Sequence, residues 1–199
     1  MRKIVLATNN AHKIEEIRAI LAGVPFYLGT ASDFPPFDVP EEAGATLEEN
    51  ARIKAVAFNG ETGLWALADD SGLEVDALDG APGVMSARFA GAGCTFADNN
   101  RKLLELMKDV PDGRRSARFR CVAALATSER DITIFDGTVE GTITREIHGG
   151  GGFGYDPVFY VRELGCTFAE VPAADKNRLS HRGRAFRKVR DYLVAGTIA

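Results

Sequence analysis

Two adjacent aspartates follow an apolar run in Leu64-Trp65-Ala66-Leu67-Ala68-Asp69-Asp70-Ser71-Gly72, and they are the foremost catalytic candidates of the 199-residue chain. The run reads as a buried strand that delivers charge to a cleft at its end. Side-by-side acids repel unless a cation or a proton is shared, so a metal, a lysine or a raised pKa is expected beside them. Asp-Ser-Gly is also ordinary turn chemistry, and this segment alone does not separate a site from a solvated turn.

Three other stretches carry groups suited to an anionic ligand. Thr8-Asn9-Asn10 lies between a short aliphatic strand, Ile4 to Ala7, and a helix with Ile14, Ile17 and Leu21 on one face. The free N–H groups and dipole of that helix start favour an anion, and Lys13 in the first turn is at odds with the dipole unless an anion offsets it. In His148-Gly149-Gly150-Gly151-Gly152-Phe153-Gly154-Tyr155-Asp156-Pro157, glycines let backbone N–H groups approach a ligand while Phe153 and Tyr155 can stack on a base. No Gly-Lys-Ser/Thr follows, so it is no P-loop, and a plain loop between strands fits the same residues. Between Arg178 and Arg190 lie six Lys/Arg residues and His181 with no acid. Arg184, Lys188 and Asp191 read there as an exposed helix face, whereas Ser180-His181-Arg182-Gly183 precedes or opens the helix and suits ligand contact. A Ser71-His181-Asp156 hydrolase is disfavoured, because Ser71 lacks a Gly-x-Ser-x-Gly elbow and the aspartates favour a cation over an oxyanion.

Helices interleave with strands around these residues, which predicts a mixed α/β architecture. Thr46 and Glu49 form a capping box for a helix to about Asn59 that places Asn50 and Lys54 on one face. Leu73, Val75 and Ala77 read as a short strand beyond Gly72. Thr95 and Asp98 cap a helix with Leu103, Leu104 and Met107 as core. Ala117, Phe119, Cys121, Ala123 and Leu125 alternate with Arg118 and Arg120 as a half-buried strand. Ile132 to Phe135 and Thr138 to Ile143 read as antiparallel strands joined by an Asp136-Gly137 turn. Val158 to Val161 is a further strand, and a last helix from about Ser180 to Leu193 buries Ala185, Phe186, Val189, Tyr192 and Leu193.

Composition narrows the partners. With 45% hydrophobic and 26% charged residues the chain is an ordinary globular protein, not a disordered one. A formal charge of −4 argues against a whole-surface nucleic-acid binder. Cys94, Cys121 and Cys166 spell neither a disulfide framework nor a zinc site. The apolar run after Met1-Arg2-Lys3 stops after four residues, too short for a signal peptide, and no stretch approaches the roughly 20 apolar residues that span a bilayer. The expected compartment is the cytoplasm.

Taken in order, Thr8-x-Asn10-x-x-Lys13, Glu42-x-Gly44-x-Thr46, Glu49-Asn50-Ala51 with Lys54, Ala68-Asp69-Asp70-Ser71-Gly72-Leu73, Gly80-x-Pro82-Gly83 with Ser86-Ala87-Arg88, Gly152-Phe153-Gly154-Tyr155-Asp156-Pro157 and Ser180-His181-Arg182-Gly183 resemble the Ham1/RdgB family of inosine triphosphate pyrophosphatases almost end to end. The resemblance implies a single domain over residues 1–199, bilobed and α/β, with a long mixed sheet flanked by helices and a central cleft. It implies hydrolysis of dITP, ITP or XTP to the monophosphate and pyrophosphate, Mg²⁺ as cofactor, a homodimer, and neither nucleic acid nor membrane as partner. By position, Asp70 resembles the catalytic base, and Glu42 with Asp70 the Mg²⁺ site, with Glu41 adjacent as the other choice. Thr8, Asn9, Asn10, Ala11, His12, Lys13 and Lys54 resemble triphosphate contacts. Ser71, Phe153, Gly154, Tyr155, Asp156, Lys176, His181 and Arg182 resemble the rest of the nucleotide pocket, and donors from Arg182, His181 or the backbone suit a 6-oxo group. Other readings are a pyrophosphatase for modified pyrimidine nucleotides, as in the similar-looking Maf family, a nucleotide-sensing regulatory module, and a nucleic-acid binder using the arginine-rich segment.

Overall fold

In the computed structural model, which describes residues 2–37 and 42–198, the first aliphatic run forms β1 (Arg2–Leu6) with Ile4, Val5 and Leu6 buried. Asn10 caps α1 (Ala11–Ile20) by accepting the Lys13 N–H, and Ile17 and Ile20 face the core. β2 (Phe26–Thr30), which no sequence signal marked, pairs parallel to β1. The expected capping box of Thr46 and Glu49 opens α2 (Leu47–Thr62), and Gly63 ends it at φ +64°, a conformation that suits a residue without Cβ.

β3 (Trp65–Val75) pairs parallel to β1 and contradicts the expected strand end at Ala68, running unbroken through Asp69, Asp70, Ser71 and Gly72. Ala77 lies beyond it in a 3₁₀ turn. α3 (Phe96–Leu106) starts from the Thr95/Asp98 box, with Leu103 and Met107 fully buried as expected. β4 (Ser116–Ser128) alternates as predicted at first, Ala117 and Phe119 inward and Arg118 and Arg120 paired with Glu74, Asp76 and Glu140. From Cys121 to Ala126 every residue is buried, the mark of a strand covered on both faces.

The Asp136-Gly137 turn does not exist. β5 (Asp131–Ile143) passes through it, and the reversal from β4 falls at residues 129–130 instead. Gly137 is needed for contact: a Cβ there would lie 2.2 Å from the His181 carbonyl oxygen and 2.5 Å from the Ala185 nitrogen, so the glycine lets the final helix rest on the strand backbone. β6 (Phe159–Val161) and β7 (Cys166–Thr167) follow as antiparallel neighbours, and α4 (Ala173–Leu179), also unread in the sequence, carries Lys176. α5 (His181–Ile198) buries Ala185, Phe186, Val189 and Leu193, whereas Tyr192 is 43% exposed and only edges Phe135.

The strands hydrogen-bond in the order β2-β1-β3-β4-β5-β6-β7. The chain divides into two compact units, the first of Met1–Asp70, Cys121–Gly137 and His181–Ala199, the second of Ser71–Arg120 and Thr138–Ser180. The first packs Ile4, Leu6, Ile17, Leu67, Cys121, Leu125, Phe186 and Val189 together, and the second Leu73, Leu103, Phe119, Ile143, Phe159 and Phe168. Among the described residues, no helix is long and apolar enough to cross a membrane.

Candidate active site

In the first unit the pleat of β3 separates the two aspartates, since successive side chains leave opposite faces of a strand. Each finds its own cations. Asp69 is fully buried, and its Oδ2 accepts from Lys13 Nζ of α1 at 3.1 Å and from Arg182 of α5 at 3.3 and 3.4 Å. The Arg182 guanidinium also reaches Glu16 at 2.6 Å. Burial pushes the Asp69 carboxyl up, but Lys13, Arg182 and Lys54 outweigh it and hold the pKa well below the carboxylate range. The same carboxylates outweigh desolvation at Arg182 and raise its pKa.

Asp70 faces α2. Asn50 and Lys54 are one turn apart there, as the sequence predicts, and Asn50 Nδ2 donates to Asp70 Oδ2 at 3.1 Å. Lys54 Nζ donates to Glu42 Oε1 at 2.8 Å, to the Asp69 carbonyl at 2.6 Å and to Asp70 Oδ1 at 3.4 Å. Asp70 has its pKa raised, first by burial and further by Glu42, against the opposing pull of Lys54, Lys13 and Asn50. Lys54 is desolvated as well, yet Asp70, Asp69 and Glu42 more than compensate and raise its pKa. Gly44 explains the spacing from Glu42 to Thr46. Its N–H donates to Asn50 Oδ1 at 2.8 Å, and a Cβ would come within 2.7 Å of that oxygen.

Lys13, Lys54 and Arg182 face Glu16, Glu42, Asp69 and Asp70, so three cations meet four carboxylates. Glu42 and Asp70 converge on a single ammonium, and their hard oxygen donors fit Mg²⁺, which needs only one or two carboxylates and keeps water or phosphate in its other positions. Among the described residues no cluster of three or more His, Cys, Asp or Glu side chains is arranged to hold a metal. Glu41, the other ligand choice, lies outside the described residues. Asp69 Oδ2 is engaged by Lys13 and Arg182, which disfavours the carboxylate as a second ion site.

Thr8 accepts the Asn10 N–H, shaping the loop into α1, where Asn9, Ala11 and His12 are exposed and Lys13 is half-buried. His181 and Arg182 are 4% and 2% exposed. The Arg182 guanidinium turns inward to Glu16 and Asp69, so the expected role as a side-chain donor to a purine is not what this arrangement presents. The part played by Glu16 was not read from the sequence. Its signal was an acid one turn after Lys13 on a helix that holds a misplaced cation.

In the second unit, Asp156 organises the glycine-rich loop. Its Oδ2 accepts the Phe153 N–H at 2.7 Å and Lys176 Nζ at 2.5 Å, and the ammonium lies 4.5 Å from the centre of the Phe153 ring. Gly152 has φ +67°, and a Cβ there would collide with Asp156 Oδ2 at 2.2 Å. Tyr155, expected as a stacking wall, is instead core. It is 4% exposed, donates its hydroxyl to the Ser86 carbonyl at 2.9 Å, and burial pushes its pKa up. Phe153 is half-buried and keeps the stacking role open; Ser71 is half-buried too.

Residues 4–192 match the family model described as the Ham1 family. A protein of Geobacter sulfurreducens named dITP/XTP pyrophosphatase is 50% identical over 193 residues, 97% of each chain. One of the same name from Desulforamulus reducens is 51% identical over 191 residues, 96% of this chain and 95% of its own. The solved structure of a HAM1 protein from Coxiella burnetii has a TM-score of 0.89 at 43% identity, covering 98% of this chain and 100% of that one.

Proposed function

The chain belongs to the Ham1 family, and on that premise we propose that it hydrolyses dITP, ITP and XTP to the nucleoside monophosphate and pyrophosphate, removing deaminated purines from the nucleotide pool. The observation that carries this reading is the Lys54 ammonium held between Glu42 and Asp70, with Lys13 beside it on Asp69. Such a cluster exchanges internal ion pairs for a metal and a polyphosphate without leaving a buried charge alone.

A triphosphate carries about four negative charges, which must be offset before a nucleophile approaches. Lys13, at the start of α1, and Lys54 bind the phosphates, with Thr8, Asn9, Asn10, Ala11 and His12 lining the turn whose N–H groups favour an anion. Glu42 and Asp70 would hold Mg²⁺, which when bound would supply charge stabilisation to the departing pyrophosphate. Asp70 takes the proton of the attacking water. Asn50 holds its Oδ2 and Lys54 approaches its Oδ1; with Lys54 turned to the phosphates, Oδ1 is the oxygen that receives the proton.

Phe153 stacks on the purine, while Ser71, Gly154, Asp156 and Lys176 complete the nucleoside contacts and Tyr155 contributes backbone only. The first turn of α5, at His181 and Arg182, supplies N–H donors to a 6-oxo group. Adenine presents an amino group there and is rejected, because two donors facing each other in a dry site leave both unpaired. The chain acts as a single catalytic domain, two chains pair as a homodimer, and the protein works in the cytoplasm, with neither nucleic acid nor membrane as partner.

A hydrolysis panel of dITP, XTP, GTP, dATP, dUTP and dTTP with and without Mg²⁺ tests the reading. Mg²⁺-dependent pyrophosphate release from dITP and XTP, far above the others, is expected. Preference for dUTP or dTTP would move the chain to pyrimidine substrates, and binding without turnover would make it a sensor.

A further inference from the structure

Asn100 sits on the buried face of α3, three residues before the core residue Leu103 and 4% exposed. Asparagine is a poor choice there. It has low helix propensity, and an amide removed from water is costly unless its groups are paired. Its Nδ2 donates to the Gly154 carbonyl at 2.9 Å, but its Oδ1 is buried with no hydrogen-bond partner among the described residues. A leucine would continue the apolar stripe without that cost, so what the amide supplies must lie at Gly154.

Gly154 follows Phe153 in the loop, and its neighbours are tied as well. The Phe153 N–H goes to Asp156, and the Tyr155 hydroxyl to the Ser86 carbonyl, which Asn99 also approaches at 3.4 Å. Both Gly152 and Gly154 have positive φ, a conformation an unpinned glycine leaves easily. Asn100, a side chain from outside the loop, fixes the Gly154–Tyr155 peptide, the second peptide after the Phe153 ring. We propose that Asn100 is a positioning residue for substrate binding, which holds the Phe153 ring in the plane that a purine stacks on and acts through Gly154 without touching the nucleotide. The inference rests on the stacking role given to Phe153 above.

Asn100→Leu and Asn100→Asp, both of which lose the donor, are compared with Phe153→Ala by steady-state kinetics on dITP, inhibition by inorganic tripolyphosphate, and thermal unfolding. Asn100→Leu is expected to raise KM about 10-fold, as loss of one hydrogen bond would, with kcat within about threefold and tripolyphosphate inhibition unchanged. Its Tm is expected to match or exceed that of wild type, since the buried orphan oxygen is gone. On the Phe153→Ala background the same substitution should add nothing. Asn100→Asp, which keeps the oxygen, should show the same KM defect and serves if the leucine variant does not fold. If Phe153→Ala raises KM and neither Asn100 variant does, the positioning role is wrong and stacking stands. If kcat, tripolyphosphate inhibition and Tm all fall together, Asn100 only supports the fold. If Phe153→Ala leaves KM unchanged, the stacking reading fails and this inference with it.

Discussion

Lys54→Met removes the group on which the proposed metal ligands converge while keeping most of the side-chain volume. The ammonium touches three oxygens, those of Glu42, the Asp69 backbone and Asp70, at 2.8, 2.6 and 3.4 Å. Breaking a buried ion pair by deleting one partner costs about 3–5 kcal/mol. The Glu42 side chain is 36% exposed and can turn to water, so the lower end applies. For a chain of this length about 3 kcal/mol corresponds to a Tm loss of about 6–12 °C. Because the folded state raises the Lys54 pKa, its contribution is present below the unfolded lysine pKa of about 10.4 and is lost above it. The gap between wild type and variant should therefore be constant from about pH 6 to 9 and close above about pH 10. Millimolar Mg²⁺ should raise the Tm of the variant more than that of wild type, where the ion must compete with the ammonium. Differential scanning fluorimetry across pH, with and without Mg²⁺, reads all three effects. A Tm loss under about 2 °C, or equal Mg²⁺ shifts, would refute the convergence of Glu42 and Asp70 on Lys54.

Asp70→Asn should lower kcat by about 10²–10⁴-fold while leaving Tm at pH 7 unchanged or higher, because a carboxylate whose pKa burial raises opposes folding when ionised; a stable variant with near-normal turnover would remove Asp70 as the base. Asp69→Asn tests the opposite sign. With its pKa depressed in the fold, wild-type Asp69 contributes stability above the ordinary carboxylate range, so urea unfolding should show a constant deficit in the variant from about pH 8 to 5 that narrows below about pH 4. A deficit that grows on acidification would contradict the ion pairs with Lys13 and Arg182. Gly137→Ala drives a Cβ to 2.2 Å from the His181 carbonyl, so α5 must shift by about 1 Å, with an overpacking cost of about 1–3 kcal/mol and a larger proportional loss of activity than of stability. Wild-type kinetics in that variant would show that the start of α5 has no part in binding.

Much of the site was legible because its parts obey short-range rules. Thr46 with Glu49 announces α2, and the one-turn spacing from Asn50 to Lys54 then puts both on a single face, where they meet Asp70. The demand for cations beside two adjacent acids was sound too, although the strand pleat gave each acid its own partners. Errors arose where a residue type has two uses. Asp136-Gly137 reads as a turn, but Gly137 is small because α5 lies on it. Tyr155 beside glycines reads as a wall for a base, but its hydroxyl completes a buried contact with Ser86. Arg182 reads as a ligand donor because no local acid accompanies it; its partners, Glu16 and Asp69, come from α1 and β3. Such long-range pairings leave no trace in spacing along the chain, and β2 and α4 were missed because neither carries a strong period or cap.

Hydrolysis of dITP in ¹⁸O-labelled water, with mass analysis of both products, examines the arrangement most directly. Attack on the α-phosphorus by a water that Asp70 deprotonates, with pyrophosphate leaving, places one ¹⁸O in dIMP and none in pyrophosphate. Label in pyrophosphate, or release of orthophosphate in its place, would contradict the geometry assigned to Glu42, Lys54 and Asp70.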